Sequence, residues 1–297
     1  MSPHRPPILL FTINQVNVMK FRIFSCVLVL LTGSLSAQQR IITAGSSSTE
    51  IVCALGLTER IVATDKTSLY PEKMQSLPTI GYRTSISAEG IISLKPDLII
   101  FEKEYVSDEL VAQLKSTGIK TLVVEHGQNF ESTKMRIRNI ADAINKKPEA
   151  EKLIAGLESD LAKVKKKVDA TTVRPTVLCV YNRGGGNMQI AGKNTSFGLL
   201  PTAGAVNALS EVEGYKPLNA ESLILANPDY ILFFDSGLQS LGGIEEVLKI
   251  TGVAQTTAGK KRQIIAMDGI LLTNWGPRVA IAAEQLFQLT HPENLKP

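Results

Sequence analysis

Residues 148–170 read PEAEKLIAGLESDLAKVKKKVDA, a pattern typical of one long amphipathic helix. Its apolar residues recur at steps of four, four, three and four, which places them on one face: Leu153, Leu157, Leu161, Val164 and Val168. Pro148 suits a first helical turn, and the lysines near the end suit the negative end of the helix dipole. At about 1.5 Å per residue the helix would be roughly 33 Å long. It can therefore join two domains, the alternative being a surface helix of one domain.

A segment that precedes this helix is repeated after it. Residues 87–101 read SAEGIISLKPDLIIF, and residues 219–233 read NAESLILANPDYILF. Several residues recur at one offset of 132 without a gap: Ala88, Glu89, Pro96, Asp97, Ile99 and Phe101. Two copies at such a spacing indicate a pseudo-symmetric pair of units. Because the helix lies between the copies, we expect it to connect them.

Strand-like and helix-like segments alternate on both sides of the helix, a pattern typical of parallel α/β layers. The sequence therefore predicts two Rossmann-like α/β lobes joined by one long helix. We assign residues 38–146 to the first lobe, 147–171 to the helix and 172–297 to the second lobe. Residues 46–49 all carry hydroxyl groups, which we expect to cap the first helix. Residues 196–204 are predicted to form another capped helix.

The N-terminus is typical of an export signal. A basic start at residues 19–22 precedes an apolar run at 23–31 and then small residues up to Ala37. The run is too short to span a bilayer comfortably. We predict a signal peptide at residues 1–37, cleaved near Ala37, with residues 1–18 as an upstream extension. The mature protein would then be periplasmic, and a lipid anchor on Cys26 is the less favoured alternative.

Charge and cysteine content exclude some classes of protein. Removal of residues 1–37 leaves 29 basic against 28 acidic residues, so the sequence offers no argument for nucleic-acid binding. Cys53 and Cys179 lie in apolar surroundings, one in each half of the chain. Since cysteine is often a small buried hydrophobe, two separate thiols are favoured over a disulfide.

Catalytic motifs are absent from the sequence. His126 and His291 have no carboxylate or cysteine at metal-ligand spacing, which disfavours a zinc site. The glycine-rich residues 184–194 fail the phosphate-loop pattern at Asn187 and Asn194, and no Gly-x-Ser-x-Gly elbow occurs. The sequence therefore favours a binding protein over an enzyme.

The loop at residues 65–71, DKTSLYP, is the best candidate for a ligand site. It follows a predicted strand, and ligands of open α/β sheets bind beyond the carboxyl ends of strands. A phenolate such as that of Tyr70 can ligate ferric iron, as tyrosine does in one class of haem protein. The residues alone leave open whether Tyr70 is a ligand or a packing residue with a bonded hydroxyl.

Several of these motifs together resemble the periplasmic hemin-binding proteins of ABC haem importers. They are the export signal, the repeated Ala-Glu and Pro-Asp segments, the joining helix, Thr-Ser-x-Tyr-Pro at 67–71, Gly-Tyr-Arg-x-x-x-Ser-Ala-Glu-Gly at 81–90, and Met-Asp-Gly…Gly-Pro-Arg at 267–278. The resemblance covers essentially all of residues 40–290. It implies a class III periplasmic binding protein fold, shared with cobalamin and ferric-siderophore binders, and a monomer that delivers hemin to a membrane permease.

The resemblance also implies roles for individual residues. Tyr70 would be an axial ligand of the haem iron, and Arg83 and Arg183 would pair with a haem propionate or with the phenolate, since arginine makes strong charge-assisted contacts with carboxylates. A surface ion pair is the alternative for each arginine. Asn274 and Trp275 stand where many hemin binders have an apolar residue, although Trp275 would still offer a flat face to a porphyrin.

Glu89 and Glu221 occupy equivalent places in the repeat, one in each lobe. In the resembled family, glutamates at such positions contact arginines of the permease, so both are predicted to dock the protein on its transporter. The alternative is that they cap the helices that follow.

Two further alternatives concern the function. Cobalamin or a ferric siderophore would occupy the cleft in a binding protein of the same class, where Tyr70 would be a contact and not an iron ligand. An α/β hydrolase or a nitrogenase-like cofactor protein is the alternative from another class, and the missing nucleophile–base pair and cysteine ligands disfavour it.

Overall fold

The computed structural model describes Met1, residues 39–182 and residues 188–295. The predicted signal peptide lies outside the described residues apart from Met1. The described residues from 39 onward form one compact unit that contains two sheets, one in each predicted lobe. Among the residues described, no helix is long and apolar enough to cross a membrane.

The N-terminal lobe is a four-stranded parallel sheet with the order β2-β1-β3-β4. Its strands are β1 (Ile41–Ala44), β2 (Ile61–Thr64), β3 (Leu98–Glu102) and β4 (Lys120–Val124). The helices are α1 (Ser46–Ala54), α2 (Ala88–Ser93), α3 (Asp108–Ser116) and α4 (Phe130–Ala143). β1 and β3 are buried along their whole length, as expected of central strands covered on both faces.

The predicted connecting helix is present as α5 (Lys147–Asp169). Its first half contributes Ala150, Ile154 and Leu157 to a core cluster of the N-terminal lobe. Its second half contributes Val164 and Val168 to a core cluster of the C-terminal lobe. One apolar stripe therefore serves two cores in succession, which confirms the prediction that this helix joins the lobes.

The C-terminal lobe is a mixed sheet with the order β10-β9-β5-β6-β8, and β7 pairs with β5. Its strands are β5 (Thr176–Tyr181), β6 (Gln189–Ala191), β7 (Val206–Asn207), β8 (Tyr215–Pro217), β9 (Tyr230–Phe234) and β10 (Ile264–Met267). The helices are α6 (Ala220–Ala226), α7 (Asp235–Ser240), α8 (Ile244–Leu248), α9 (Thr257–Lys261), α10 (Gly269–Thr273) and α11 (Val279–Thr290).

The repeated segment has the same structural role in both lobes. Asp97 precedes β3, and its Oδ2 accepts a hydrogen bond from the backbone N–H of Arg40, the residue immediately before β1, at 2.7 Å. Asp229 precedes β9, and its Oδ2 accepts one from the N–H of Thr176 at the start of β5, at 2.8 Å. In each lobe, the repeated aspartate therefore fixes the loop before one strand to the beginning of the neighbouring strand.

Three sequence predictions about this fold are corrected. The second sheet is not all parallel, because β6 pairs antiparallel with both β5 and β8. Residues 196–204 contain only a 3₁₀ turn at Leu200–Ala203 and not a capped helix. The N-cap of α1 is Gly45 without a side-chain cap, because Glu102 supplies the acceptor for the N–H of Ser48, at 2.8 Å. The prediction of two separate thiols is confirmed, since Cys53 and Cys179 are both free.

Candidate ligand-binding site

The carboxyl ends of the two sheets face a shared cavity of about 1130 Å³. Residues just beyond β1, β2, β3 and β4 line it on one side, and residues at or beyond β5, β9 and β10 line it on the other. This is the edge at which open α/β sheets bind ligands. The lining includes Lys66, Arg83 and His126 from the first lobe and Tyr181, Asp235 and Asp268 from the second.

Asp65 fixes the loop that carries the candidate tyrosine. Its side chain is buried, and its Oδ1 accepts hydrogen bonds from the N–H of Gly45 at 2.9 Å and from Ser68 Oγ at 2.6 Å. Its Oδ2 accepts from the N–H and the hydroxyl of Thr67 at 2.9 and 2.6 Å. Four hydrogen bonds to one carboxylate therefore hold the backbone immediately before Tyr70.

Tyr70 is half-exposed and lies beside the cavity. Its neighbour Leu69 lines the cavity, whereas Tyr70 itself is not among the lining residues in the described part of the chain. The guanidinium carbon of Arg278 lies 4.0 Å from the centre of the Tyr70 ring. A guanidinium over an aromatic face is a favourable contact, and a cation here also stabilises negative charge on the phenol oxygen.

Sequence reasoning missed Arg278 as a partner of Tyr70. The residue stands at the end of the Gly-Pro-Arg motif, and its side chain is held by Glu50 of α1. Its Nε and Nη2 donate to the two carboxylate oxygens of Glu50 at 2.9 and 2.6 Å. The Gly-Pro-Arg motif could have marked Arg278 as a candidate site residue. Its contact with Tyr70 was not predictable from a local pattern, because 208 positions separate the two residues.

Arg83 lies in the wall of the cavity. Its backbone has a φ of 42°, a left-handed conformation that is uncommon for a residue with a side chain. Its guanidinium carbon lies 4.8 Å from the ring centre of Tyr105 and 5.6 Å from that of Tyr82. Its Nε is buried and has no hydrogen-bond partner among the described residues. Arg183, the second predicted arginine, lies outside the described residues.

The prediction for Trp275 is wrong. Its side chain is only 5% exposed and packs in the core of the C-terminal lobe, so its ring offers no face to the cavity. Its backbone carbonyl instead accepts hydrogen bonds from Thr133 Oγ1 at 2.7 Å and Arg136 Nη2 at 2.8 Å. The residue therefore joins the lobes through its main chain.

Aromatic side chains that the sequence analysis did not select form the C-terminal wall. The ring of Tyr181 lies 5.4 Å from that of Tyr215 and 5.7 Å from that of Phe234, which in turn stacks on Phe197 at 5.2 Å. Tyr181 and Phe234 end β5 and β9, so the rule that ligands bind at strand ends could have identified them. This wall offers flat apolar surface edged with hydroxyl groups.

His126 belongs to a buried polar network at the base of the cavity. Its Nδ1 lies 2.7 Å from Oε2 of Glu102, and its Nε2 lies 3.3 Å from the carbonyl of Thr273 in the second lobe. Burial raises the pKa of Glu102, but the hydrogen bond from His126 and the charges of His126 and Arg136 outweigh it, so the pKa of this carboxyl is lowered. Both nitrogens of His126 therefore face acceptors of the protein.

Comparison with known proteins identifies the class. A family model described as periplasmic binding protein matches residues 41–271. The chain belongs to the periplasmic binding protein family. Its fold agrees with the class III architecture that the sequence predicted.

The chain is similar to proteins with different descriptions, three of which follow. The periplasmic heme-binding protein RhuT of Roseiflexus sp. RS-1, in apo form, is 35% identical with a TM-score of 0.82, covering 86% of this chain and 99% of that one. An uncharacterized ABC transporter substrate-binding lipoprotein, YvrC, of Bacillus subtilis (strain 168) is 28% identical over 263 residues, covering 87% of this chain and 82% of the relative. A vitamin B12-binding protein of Salmonella choleraesuis (strain SC-B67) is 26% identical over 276 residues, covering 90% and 95%.

Proposed function

We propose that this protein captures ferric hemin in the interlobe cleft and delivers it to the membrane permease of an ABC importer. The observation that carries the proposal is the contact between Tyr70 and Arg278, which pairs a half-exposed phenol with a fixed cation beside a large cavity. Ferric iron favours the deprotonated phenol, and the guanidinium compensates the charge that this creates. Residues 1–37 act as the export signal that brings the protein to the periplasm.

In this proposal Tyr70 is the protein ligand of the iron. His126 is the histidine that lines the cavity, but its nitrogens face Glu102 and the carbonyl of Thr273. The iron is therefore five-coordinate or completed by water. A tyrosinate ligand stabilises the ferric state, which suits a carrier that holds hemin outside the cytoplasm.

The charges of the cavity favour one orientation of the hemin. Lys66 and Arg83 outnumber the one carboxylate of the N-terminal wall, Glu104, among the described lining residues, so this wall attracts the propionates. Asp235 and Asp268 lie on the C-terminal wall, where they repel them. Partial desolvation and the nearby Asp268 raise the pKa of Asp235, so this wall gains negative charge as the pH rises. The macrocycle then rests against Tyr181, Tyr215 and Phe234.

Glu89 and Glu221 form the docking surface for the permease in this proposal. Each is exposed at the second position of its helix, α2 or α6, and neither carboxylate has an ion-pair partner among the residues described. The alternative that they cap these helices is disfavoured, because Ser87 and Asn219 accept the capping hydrogen bonds, at 3.2 and 2.8 Å. Exposed Ile92 and Ile224, which also match in the repeat, lie one turn along the same faces.

An absorption titration of the mature protein with ferric hemin tests the proposal, run beside Tyr70→Phe and the cleft control Tyr215→Phe. We expect a saturable Soret band and a tyrosinate–iron charge-transfer band, the latter lost only in Tyr70→Phe. A charge-transfer band that survives in Tyr70→Phe would place the ligand elsewhere. If the protein bound cyanocobalamin saturably and did not bind hemin, the cargo would be cobalamin and not hemin.

A further inference from the structure

Glu50 is buried on α1 of the N-terminal lobe and accepts hydrogen bonds from two residues of the C-terminal lobe. Arg278 donates to both of its oxygens, and Asn274 Nδ2 donates to its Oε1 at 3.1 Å. Only 3% of its surface is exposed. Such a bidentate pair fixes the plane and the position of the guanidinium.

This arrangement determines which part of Arg278 reaches the tyrosine. One edge of the guanidinium is occupied by Glu50, and the guanidinium carbon lies over the ring of Tyr70. Asn274 is itself fixed, because its Oδ1 accepts a hydrogen bond from Ser46 Oγ at 2.7 Å. Glu50 therefore has little freedom to move away from Arg278, although it makes no direct contact with the cavity: it is not among the lining residues described.

The same short segment, residues 273–278, receives further contacts from the N-terminal lobe. His126 lies at hydrogen-bond distance from the carbonyl of Thr273, and Thr133 and Arg136 donate to that of Trp275. Tyr70 belongs to the N-terminal lobe and Arg278 to the C-terminal lobe. The contact between them consequently exists only while the lobes meet along this segment.

We propose that Glu50 is a positioning residue that holds Arg278 against Tyr70, so that the cation beside the iron-ligating oxygen is present only while the lobes are in contact. The proposal rests on the proposed hemin function. When the permease separates the lobes, it also removes the cation that compensates the charge of the phenolate, so the hemin complex becomes less stable at the moment of delivery.

A double-mutant cycle of Glu50→Gln and Arg278→Met tests the role of Glu50. The glutamine has nearly the same shape, but its amide group cannot accept from Arg278 as the second carboxylate oxygen does. We expect hemin to dissociate about tenfold faster from Glu50→Gln, with a shifted charge-transfer band, and no further increase when Glu50→Gln is added to Arg278→Met. If the glutamine keeps both hydrogen bonds with Arg278, Glu50→Ala serves as a second variant that removes them.

Two results would overturn the proposal. Slower dissociation from Glu50→Gln would show that Glu50 only competes with the phenolate for Arg278. An equal effect of Thr133→Val, which removes a different interlobe hydrogen bond, would show that the general contact between lobes, and not the placement of Arg278, controls hemin loss.

A measurement on the apoprotein separates this proposal from the hemin function. We expect the Nε–H resonance of Arg278 to exchange slowly with solvent in the native protein and rapidly in Glu50→Gln. Should the native protein bind no hemin, the proposed function fails, and equal exchange in both apoproteins would still overturn the positioning role by itself.

Discussion

Arg278 and Tyr70 belong to different lobes, yet the guanidinium carbon of Arg278 lies 4.0 Å from the centre of the Tyr70 ring. No local pattern in the sequence predicts this contact, because 208 positions separate the two residues. It supplies a positive charge next to the oxygen that we propose as the iron ligand.

Replacement of Arg278 by methionine removes this charge and keeps an apolar side chain of similar length. We expect hemin to dissociate about tenfold faster, which corresponds to roughly 1.4 kcal/mol and is typical of a partly desolvated cation at an aromatic face. Stopped-flow transfer of hemin to an excess of a tighter-binding apoprotein measures the rate. The matched control is Arg138→Met, since Arg138 forms a similar two-bond pair with Glu151 on the exposed surface, at 2.8 and 2.9 Å. A rate change of equal size in both variants would contradict the role of Arg278.

The double substitution Glu89→Ala, Glu221→Ala tests the docking surface. We expect hemin affinity to remain unchanged and uptake to fall at least several-fold in vesicles that contain the permease, because both carboxylates are exposed and neither is among the described residues that line the cavity. The matched control is Glu59→Ala, Glu246→Ala, which removes one exposed glutamate from each lobe. These two form surface ion pairs with Lys73 and Lys249, and such pairs contribute little to stability. Unchanged uptake by the Glu89, Glu221 variant would remove the docking role.

Gly45→Ala is expected to be among the most damaging small substitutions near the site. The φ of Gly45 is 111°, and an added Cβ would overlap the carboxyl group of Glu102. Gly56→Ala is a control for a positive φ without an overlap, because its φ is 83° and no atom lies within 4 Å of the added Cβ. We expect Gly56→Ala to cost about 1 kcal/mol of unfolding free energy and Gly45→Ala about 2 kcal/mol more, as for overpacking of a filled site. Urea unfolding measures both, and equal costs would contradict the overlap.

The topology of the fold was largely predictable, whereas the composition of the site was predictable only in part. The stripe on residues 148–170 and the repeated Pro-Asp segments depend on short-range periodicity, so α5 and the paired lobes followed from them. β7 and β8 are two and three residues long, too short to show a period. The rule that ligands bind beyond strand ends identified the loop of Tyr70. It does not predict whether a given side chain points into the cavity or into the core, because that depends on the direction of the side chain. Trp275 was therefore misassigned, and Glu50, which looks like an ordinary helical residue, gave no signal.

Glu102 and Glu50 are expected to have opposite effects on stability in acid. The pKa of Glu102 is lowered in the folded protein, so its contribution is present above the unfolded value of about 4.5 and is lost as the pH falls through the folded value. Burial raises the pKa of Glu50 despite the opposing contacts with Arg278 and Asn274, so its contribution is present below about 4.5 and is lost as the pH rises through the folded value.

Urea unfolding of three proteins at pH 7, 5, 4 and 3 checks these signs. Compared with the native protein, Glu102→Gln should lose less unfolding free energy on acidification, and Glu50→Gln should lose more. At pH 7, Glu102→Gln should be the less stable variant, by about 3 kcal/mol relative to the native protein, because the buried Arg136 and the partly buried ring of His126 lose an anionic partner. Parallel stability profiles for all three proteins would contradict both assignments, since they would mean that neither carboxyl changes its affinity for protons when the chain folds.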